Sequence, residues 1–250
     1  MKYPFSTFES NIKGTYTVLE AARTSASKIK SVIIASSDKS YGEYPPSKLP
    51  YKENYPLNPK FYYDTSKACA DLIAKSYAYN PNKPLPIIIT RFANIFGPGQ
   101  MNFSALIPDC IRSSLKYSNF EPRGNGKDTR DFLYVEDVAE IYEILARELS
   151  LNKKLSGNIF NAGNNEIFKI EDVIKKIDMK NKNKKDLMKI FLKLPTKKTE
   201  GEIKNQLMNY DKLFKFFKWK PKTTFDKGLD KTINWYKKFL KHDTNNLTSS

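Results

Sequence analysis

One histidine and two cysteines stand in 250 residues, and this shortage excludes several kinds of chemistry at once. His242 lies in a polar tail beyond the last periodic segment, so neither a histidine-based triad nor a multi-histidine metal centre can be built. Cys69 and Cys110 are too few for a disulfide framework and lack the close spacing of a zinc site, which leaves them as packing residues. No uninterrupted apolar run reaches the roughly 18 residues that cross a bilayer. Met1 to Ser10 has neither a basic nor an apolar leader region, so the expectation is a cytoplasmic protein with no membrane partner. The glycine fingerprint G-x-G-x-x-G is absent too, so nothing in these residues offers a glycine turn and helix N-terminus to a pyrophosphate. Acid–base work falls to Tyr, Lys, Ser and Asp.

Arginine is also scarce, at six of the 43 basic residues behind a net charge of +16. The lysines recur at Lys180 to Lys185 and Lys193 to Lys198, where a solvated surface is the simplest reading. A groove for a phosphate-rich polymer mixes in more arginine and exposed aromatics, so no nucleic-acid partner is expected. A positive field of this size does attract small anionic substrates.

What is present is an ordinary soluble composition, 40% apolar and 13% aromatic, in an alternation of helix and strand patterns. Ser6 and Glu9 have the spacing of a capping box ahead of Phe8, Ile12, Val18 and Leu19, so the chain opens on a helix. Ser31 to Ser36 and Ile87 to Thr90 are short β-branched runs, as strands buried on both faces should be, and Asn158 to Asn161 reads as a third. Helices are expected over Tyr62 to Tyr79, Ser104 to Tyr117, Val135 to Leu149, Tyr210 to Phe217 and Phe225 to Leu240, and Arg91 to Asn102 reads as a loop. The prediction is an α/β fold: part of a Rossmann-like, doubly wound parallel sheet, followed by a small α-rich C-terminal region. Such sheets bind ligands at the carboxyl ends of their strands, here after Ser36 and Thr90.

Four segments there carry candidate chemistry. Tyr63 and Lys67 lie four apart on a clean helical pattern, so an ammonium can favour the phenolate and lower the phenol toward neutrality. The same spacing at Tyr44/Lys48 and Tyr79/Lys83 encloses prolines and cannot be helical. Ser36-Ser37-Asp38-Lys39 follows the first strand directly, where a hydroxyl and a carboxyl meet a substrate or merely cap the loop. Arg91 to Gly99 and Gly124 to Phe132 could present polar groups to phosphates. An ordinary turn and an Arg130–Asp131 ion pair explain the last equally well.

In order along the chain, Ser36 to Gly42, Tyr63 to Lys67, Arg91 to Gly99 and Arg130 to Val138 resemble the extended short-chain dehydrogenases, specifically their nucleotide-sugar epimerases and 4,6-dehydratases. The likeness runs from about Phe5 to Leu240. It implies NAD as cofactor, with Ser36, Tyr63 and Lys67 on the nicotinamide side, and a homodimer through the Tyr63 helix. It implies Tyr63 as the base at the sugar C4 hydroxyl, Lys67 as its tuner and Ser37 on the same hydroxyl. Asn94, Asn102 and Arg130 are implied to contact the substrate. Asp38-Lys39 favours dehydration over epimerisation: Asp38 would protonate the departing C6 hydroxyl and Lys39, if neutral, would remove the C5 proton. The Ser-Asp-Lys version is most similar to CDP-glucose 4,6-dehydratases, so a CDP-sugar is the favoured substrate. Ala105 departs from relatives that place a basic residue there.

The family's first βαβαβ half has no counterpart in these residues, which predicts an apolar edge at Ser31 to Ser36 that a separately encoded N-terminal Rossmann half would cover. The expected organisation is a Rossmann-like part over 1–165 with substrate-binding segments at about 95–135, a substrate-binding region over 166–241 and a disordered tail over 242–250. An epimerase and a non-catalytic remnant without its own cofactor site are the alternatives.

Overall fold

The computed structural model describes residues 4–25, 28–121, 124–181, 186–193 and 202–247, the last six of these as backbone only. The chain opens on helix α1 (Pro4–Phe8), a π-helical turn (Glu9–Lys13) and α2 (Gly14–Thr24). Ser6 therefore lies inside a helix instead of capping one. Strand β1 (Val32–Ala35) leads through two short 3-10 turns to α3 (Tyr62–Ala78), β2 (Ile87–Phe92), β3 (Asn94–Phe96) and α4 (Leu106–Ser114). Then come β4 (Thr129–Arg130), β5 (Phe132–Tyr134), α5 (Val135–Leu151), β6 (Ile159–Ala162), β7 (Phe168–Lys169), α6 (Ile170–Lys180), α7 (Leu187–Lys193), α8 (Asp211–Phe217) and α9 (Phe225–Leu247).

The main sheet is parallel, in the order β1-β2-β6, with Val32 opposite Ile87 and Ile89 opposite Ile159. All six residues of β2 are buried because it is central and covered on both faces. Side chains alternate across a strand. Ile87 and Ile89 accordingly join Leu19, Ala74 and Ala78 of α2 and α3, whereas Ile88 and Phe92 join Val138, Ile141 and Leu145 of α5. Helix, sheet, helix is the layer order. β1 departs from the expectation of a strand buried on both faces: its residues are only partly covered and Ala35 is exposed. Among the described residues it has a partner on one side only, β2.

A second core gathers Phe96 and Phe132, α4, α6, α7 and α9 around Phe225, Leu229 and Ile233. The stretch read as a loop, Arg91 to Asn102, contains the end of β2 and all of β3, which pairs in parallel with β5. Residues 242–247, read as the start of a disordered tail, continue α9 as helix. Residues 248–250 and the side chain of His242 lie outside the described residues. Much of the lysine-rich stretches, including residues 182–185 and 194–198, lies outside them as well.

Candidate active site

The site forms where β1 and β2 end. Past Ala35 the chain runs through Ser36 and Ser37 into one 3-10 turn, Asp38–Tyr41, closed by Gly42 at φ 72°. Ser37 caps this turn: its Oγ accepts from the Lys39 amide at 3.2 Å and donates to Asp38 Oδ1 at 2.9 Å. Asp38 is buried, and its other oxygen accepts from Gln206 Nε2 at 2.9 Å. Lys39 reaches back over the turn, with Nζ 3.8 Å from Asp38 Oδ1 and donating to Asn94 Oδ1 at 3.3 Å. Ser36 Oγ turns inward to Ser40 Oγ at 2.9 Å and to the Lys67 carbonyl at 3.4 Å.

Tyr63 and Lys67 face the same way from α3. Lys67 Nζ lies 5.9 Å from the Tyr63 ring centroid and donates to the Ala35 carbonyl at 3.1 Å, while Tyr63 and Ser37 border the same cavity. The tyrosine, the serine that ends the strand and the lysine one turn along therefore meet at one point. The acidity does not follow the expectation from spacing. Burial, with the Asp38 and Asp64 carboxylates adding to it, pushes the Tyr63 phenol up from its ordinary value, and the hydrogen bond from Ser37 opposes this only in part. Burial pushes the Lys67 ammonium down. The pairing exists, but as it stands the phenol is the weaker acid.

Eight of the nine residues singled out from sequence, Ser36, Ser37, Asp38, Lys39, Tyr63, Asn94, Asn102 and Arg130, border one cavity of about 440 Å³. Lys67, the ninth, stands behind Tyr63. Asn94 spends its amide on Lys39 and on the Asp131 carbonyl at 3.2 Å. Asn102 folds onto Ser104, accepting from its amide at 3.1 Å and its hydroxyl at 3.0 Å. Arg130 is buried and donates to Glu202 Oε2 at 2.8 Å and to the carbonyls of Thr129 and Lys204 at 2.9 and 3.2 Å. It is thus paired with Glu202 and not with its neighbour Asp131. Asp131 instead accepts from the amides of Asn164 at 3.0 Å and Met208 at 3.2 Å, and burial pushes its carboxyl to about 7.

Three residues at the site escaped notice in the sequence. Asp64 is buried beside Tyr63, and burial pushes its carboxyl to about 6 against the pull of Lys39. Glu202 borders the cavity and Gln206 touches Asp38 from 168 positions away. Only the Tyr-Asp-Thr-Ser-Lys context could have flagged Asp64; no local pattern announces the other two.

A parallel α/β sheet with serine, tyrosine and lysine converging at the carboxyl ends of its strands is the architecture of the extended short-chain dehydrogenases. More narrowly, the chain belongs to the GDP-mannose 4,6 dehydratase family, whose model matches residues 1–232. It is 31% identical over 245 residues to an Arabidopsis thaliana trifunctional UDP-glucose 4,6-dehydratase/UDP-4-keto-6-deoxy-D-glucose 3,5-epimerase/UDP-4-keto-L-rhamnose-reductase, covering 93% of this chain and 33% of that protein. The chain thus spans about a third of the length of that relative. With dTDP-glucose 4,6-dehydratase 1 of Escherichia coli K12 it shares 30% identity, over 93% of this chain and 67% of that one. The crystal structure of dTDP-glucose 4,6-dehydratase from Bacillus anthracis, in complex with NAD, superposes with a TM-score of 0.77 at 29% identity over 92% of this chain and 68% of that one.

Proposed function

We propose that this chain carries the catalytic wall of a nucleotide-sugar 4,6-dehydratase. One observation supports the reading above the others: Ser37, Asp38, Lys39 and Tyr63 border a single cavity, with Arg130 on the same lining. An epimerase needs a base at the C4 hydroxyl; dehydration needs in addition an acid at C6 and a base at C5, and Asp38 and Lys39 supply candidates for both.

In this reading Tyr63 takes the proton from the C4 hydroxyl while Ser37 holds that oxygen, and the Lys67 ammonium must offset the burial that raises the phenol before it acts as base. Asp38 gives a proton to the C6 hydroxyl, which leaves as water. Lys39 in its neutral form removes the C5 proton, made acidic by the adjacent ketone. Its contact with Asp38 at 3.8 Å suits an ammonium, so substrate must loosen that pairing before the base acts. Arg130 exchanges Glu202 for the substrate diphosphate, and Asn94 and Asn102 line the path between.

The residues fit the nicotinamide end of NAD: the Tyr63 side chain borders the cavity and Lys67 holds the strand end behind it. When bound, the dinucleotide supplies the hydride acceptor and donor. The Bacillus anthracis relative was solved with NAD, and the cofactor expectation is carried over on that likeness. The one-sided pairing of β1 supports a further parallel strand beside it, from this polypeptide or from a separately encoded Rossmann half. Exposed Val18, Tyr62 and Leu72 on α2 and α3 support the homodimer. We also propose the division at about residue 165, because one core spans the 95–135 segments and the C-terminal helices. Two free cysteines support a cytoplasmic setting. No helix among the described residues is long and apolar enough to cross a membrane.

The test is incubation of the chain, together with the Rossmann half proposed to lie beside β1, with NAD and a panel of CDP-, dTDP-, UDP- and GDP-hexoses. The expected product is lighter than substrate by one water and carries a ketone, with the CDP-sugar turned over fastest. A product of unchanged mass would make the chain an epimerase and overturn the reading.

A further inference from the structure

Asp38 is 1% exposed and accepts a side-chain hydrogen bond on each carboxylate oxygen, from Ser37 on Oδ1 and from Gln206 on Oδ2, both at 2.9 Å, with Lys39 Nζ 3.8 Å from Oδ1. Gln206 itself is fully buried. Its backbone is fixed from three sides: its amide donates to the Thr129 carbonyl at 3.2 Å, the next carbonyl accepts from Tyr51 at 3.0 Å, and the Met208 amide donates to Asp131 at 3.2 Å. Its Oε1 is buried with no hydrogen-bond partner. A buried amide oxygen without a partner loses the hydrogen bonds it would make to water, so the arrangement asks for a reason.

The chemistry proposed for Asp38 supplies one. A group that hands a proton to a leaving hydroxyl is a carboxylic acid before the step and a carboxylate after it. A cationic neighbour would favour the second form, and an apolar neighbour the first. A carboxamide serves both. Its NH₂ donates to the carboxylate and, after a half-turn of the terminal torsion, its oxygen accepts from the acid. In either orientation the atom turned away is the one without a partner, so Gln206 keeps one hydrogen bond to Asp38 in both states.

Resting on the dehydratase reading, we propose that Gln206 is a positioning residue that holds the Asp38 carboxyl toward the C6 hydroxyl in both of its protonation states. The protons balance. The C6–O bond breaks with its electron pair, Asp38 loses its proton to the departing oxygen, and the electrons of the C5–H bond form the C5–C6 double bond. Lys39 takes up the C5 proton and, its ammonium having exchanged with solvent, gives a proton back to C5 when hydride reaches C6. Tyr63 is left carrying the C4 hydroxyl proton and Asp38 is left without one. Ser37, which donates to Asp38 and borders the cavity with Tyr63, gives that proton a path back and resets the site.

Gln206→Met keeps length and packing and removes both polar atoms. With this variant kcat for dehydration falls by about tenfold or more, because a misplaced general acid forfeits part of its usual contribution. KM for the nucleotide sugar stays within about twofold, since no ground-state contact to substrate is removed. Reduced nicotinamide accumulates during turnover, because oxidation at C4 outruns elimination, and circular dichroism checks that the variant is folded. Unchanged kcat, or a loss carried by KM, would overturn the proposal while leaving the dehydratase reading intact; a wild-type chain that dehydrates nothing even when its Rossmann half is supplied would overturn both.

Discussion

Tyr63 shows what a four-residue spacing can and cannot say. The spacing puts phenol and ammonium on one side of α3, as observed. It says nothing about the carboxylates that fold against them, and these, with burial, reverse the expected direction of the shift. NMR of tyrosine labelled at Cζ is expected to show the Tyr63 phenol titrating above the ordinary tyrosine value of about 10; a midpoint near neutrality would contradict the electrostatics described here. Tyr63→Phe is expected to lower kcat by about a thousandfold with little change in stability, read by product formation and thermal unfolding, as loss of a general base commonly does. Asp64 makes a prediction about stability. Its folded value of about 6 lies above the ordinary aspartate value of 3.8, so the folded chain holds that proton more tightly than the unfolded one. The contribution is fully present below about pH 4 and is lost as pH rises through about 6. Asp64→Asn is therefore expected to flatten the fall in urea midpoint between pH 4 and 6 and to stabilise the chain at pH 8 by about 1 to 3 kcal/mol. A fall as steep as in the wild type would contradict this assignment.

At the scale of elements, the long periodic segments were readable and the short ones were not. α3 and α5 declare themselves because a 3.6-residue pattern persists across them, and the central strand β2 because a continuous β-branched run suits burial on both faces. β3 and β5 are three residues each, too short for any pattern, and β7 is visible only through its pairing with β4. α6 hides among lysines, although Val173, Ile174 and Ile177 mark its buried face. Asp38, Lys39, Asn94 and Arg130 were legible because each adjoins or lies in a strand, where this fold places ligands. Gln206 and Glu202 arrive on an irregular segment whose position depends on the whole tertiary fold. The 3-10 turn that aims Asp38 depends on Gly42, where a Cβ would stand 1.8 Å from the Asn58 carbonyl oxygen at a φ of +72°. Gly42→Ala is expected to cost about 2 kcal/mol or more, combining the positive-φ penalty with a clash against backbone. It should also lower kcat by displacing Asp38, and a variant with wild-type stability and rate would show that the turn relaxes freely.

At the scale of the molecule, two cores meet at the cavity: the sheet with its flanking helices supplies Ser37, Asp38, Lys39 and Tyr63, and the strands and segments that join it to the C-terminal helices supply Arg130, Glu202 and Gln206. A net charge of +16 favours the approach of anions, which on the proposed function include a nucleotide sugar. Its KM is therefore expected to rise several-fold between about 0.05 and 0.5 M salt, as screening shortens the reach of that charge. A salt-independent KM would restrict recognition to direct contacts such as Arg130. The central claim is that this cavity removes water across C5 and C6 of a nucleotide hexose, and turnover in deuterium oxide tests it most directly. Removal of the C5 proton to a side chain that exchanges with solvent predicts one deuterium at C5 of a 4-keto-6-deoxy product, seen by mass spectrometry and NMR. A dehydrated product without solvent deuterium at C5 would contradict the side-chain base, and an undehydrated epimer would contradict the account as a whole.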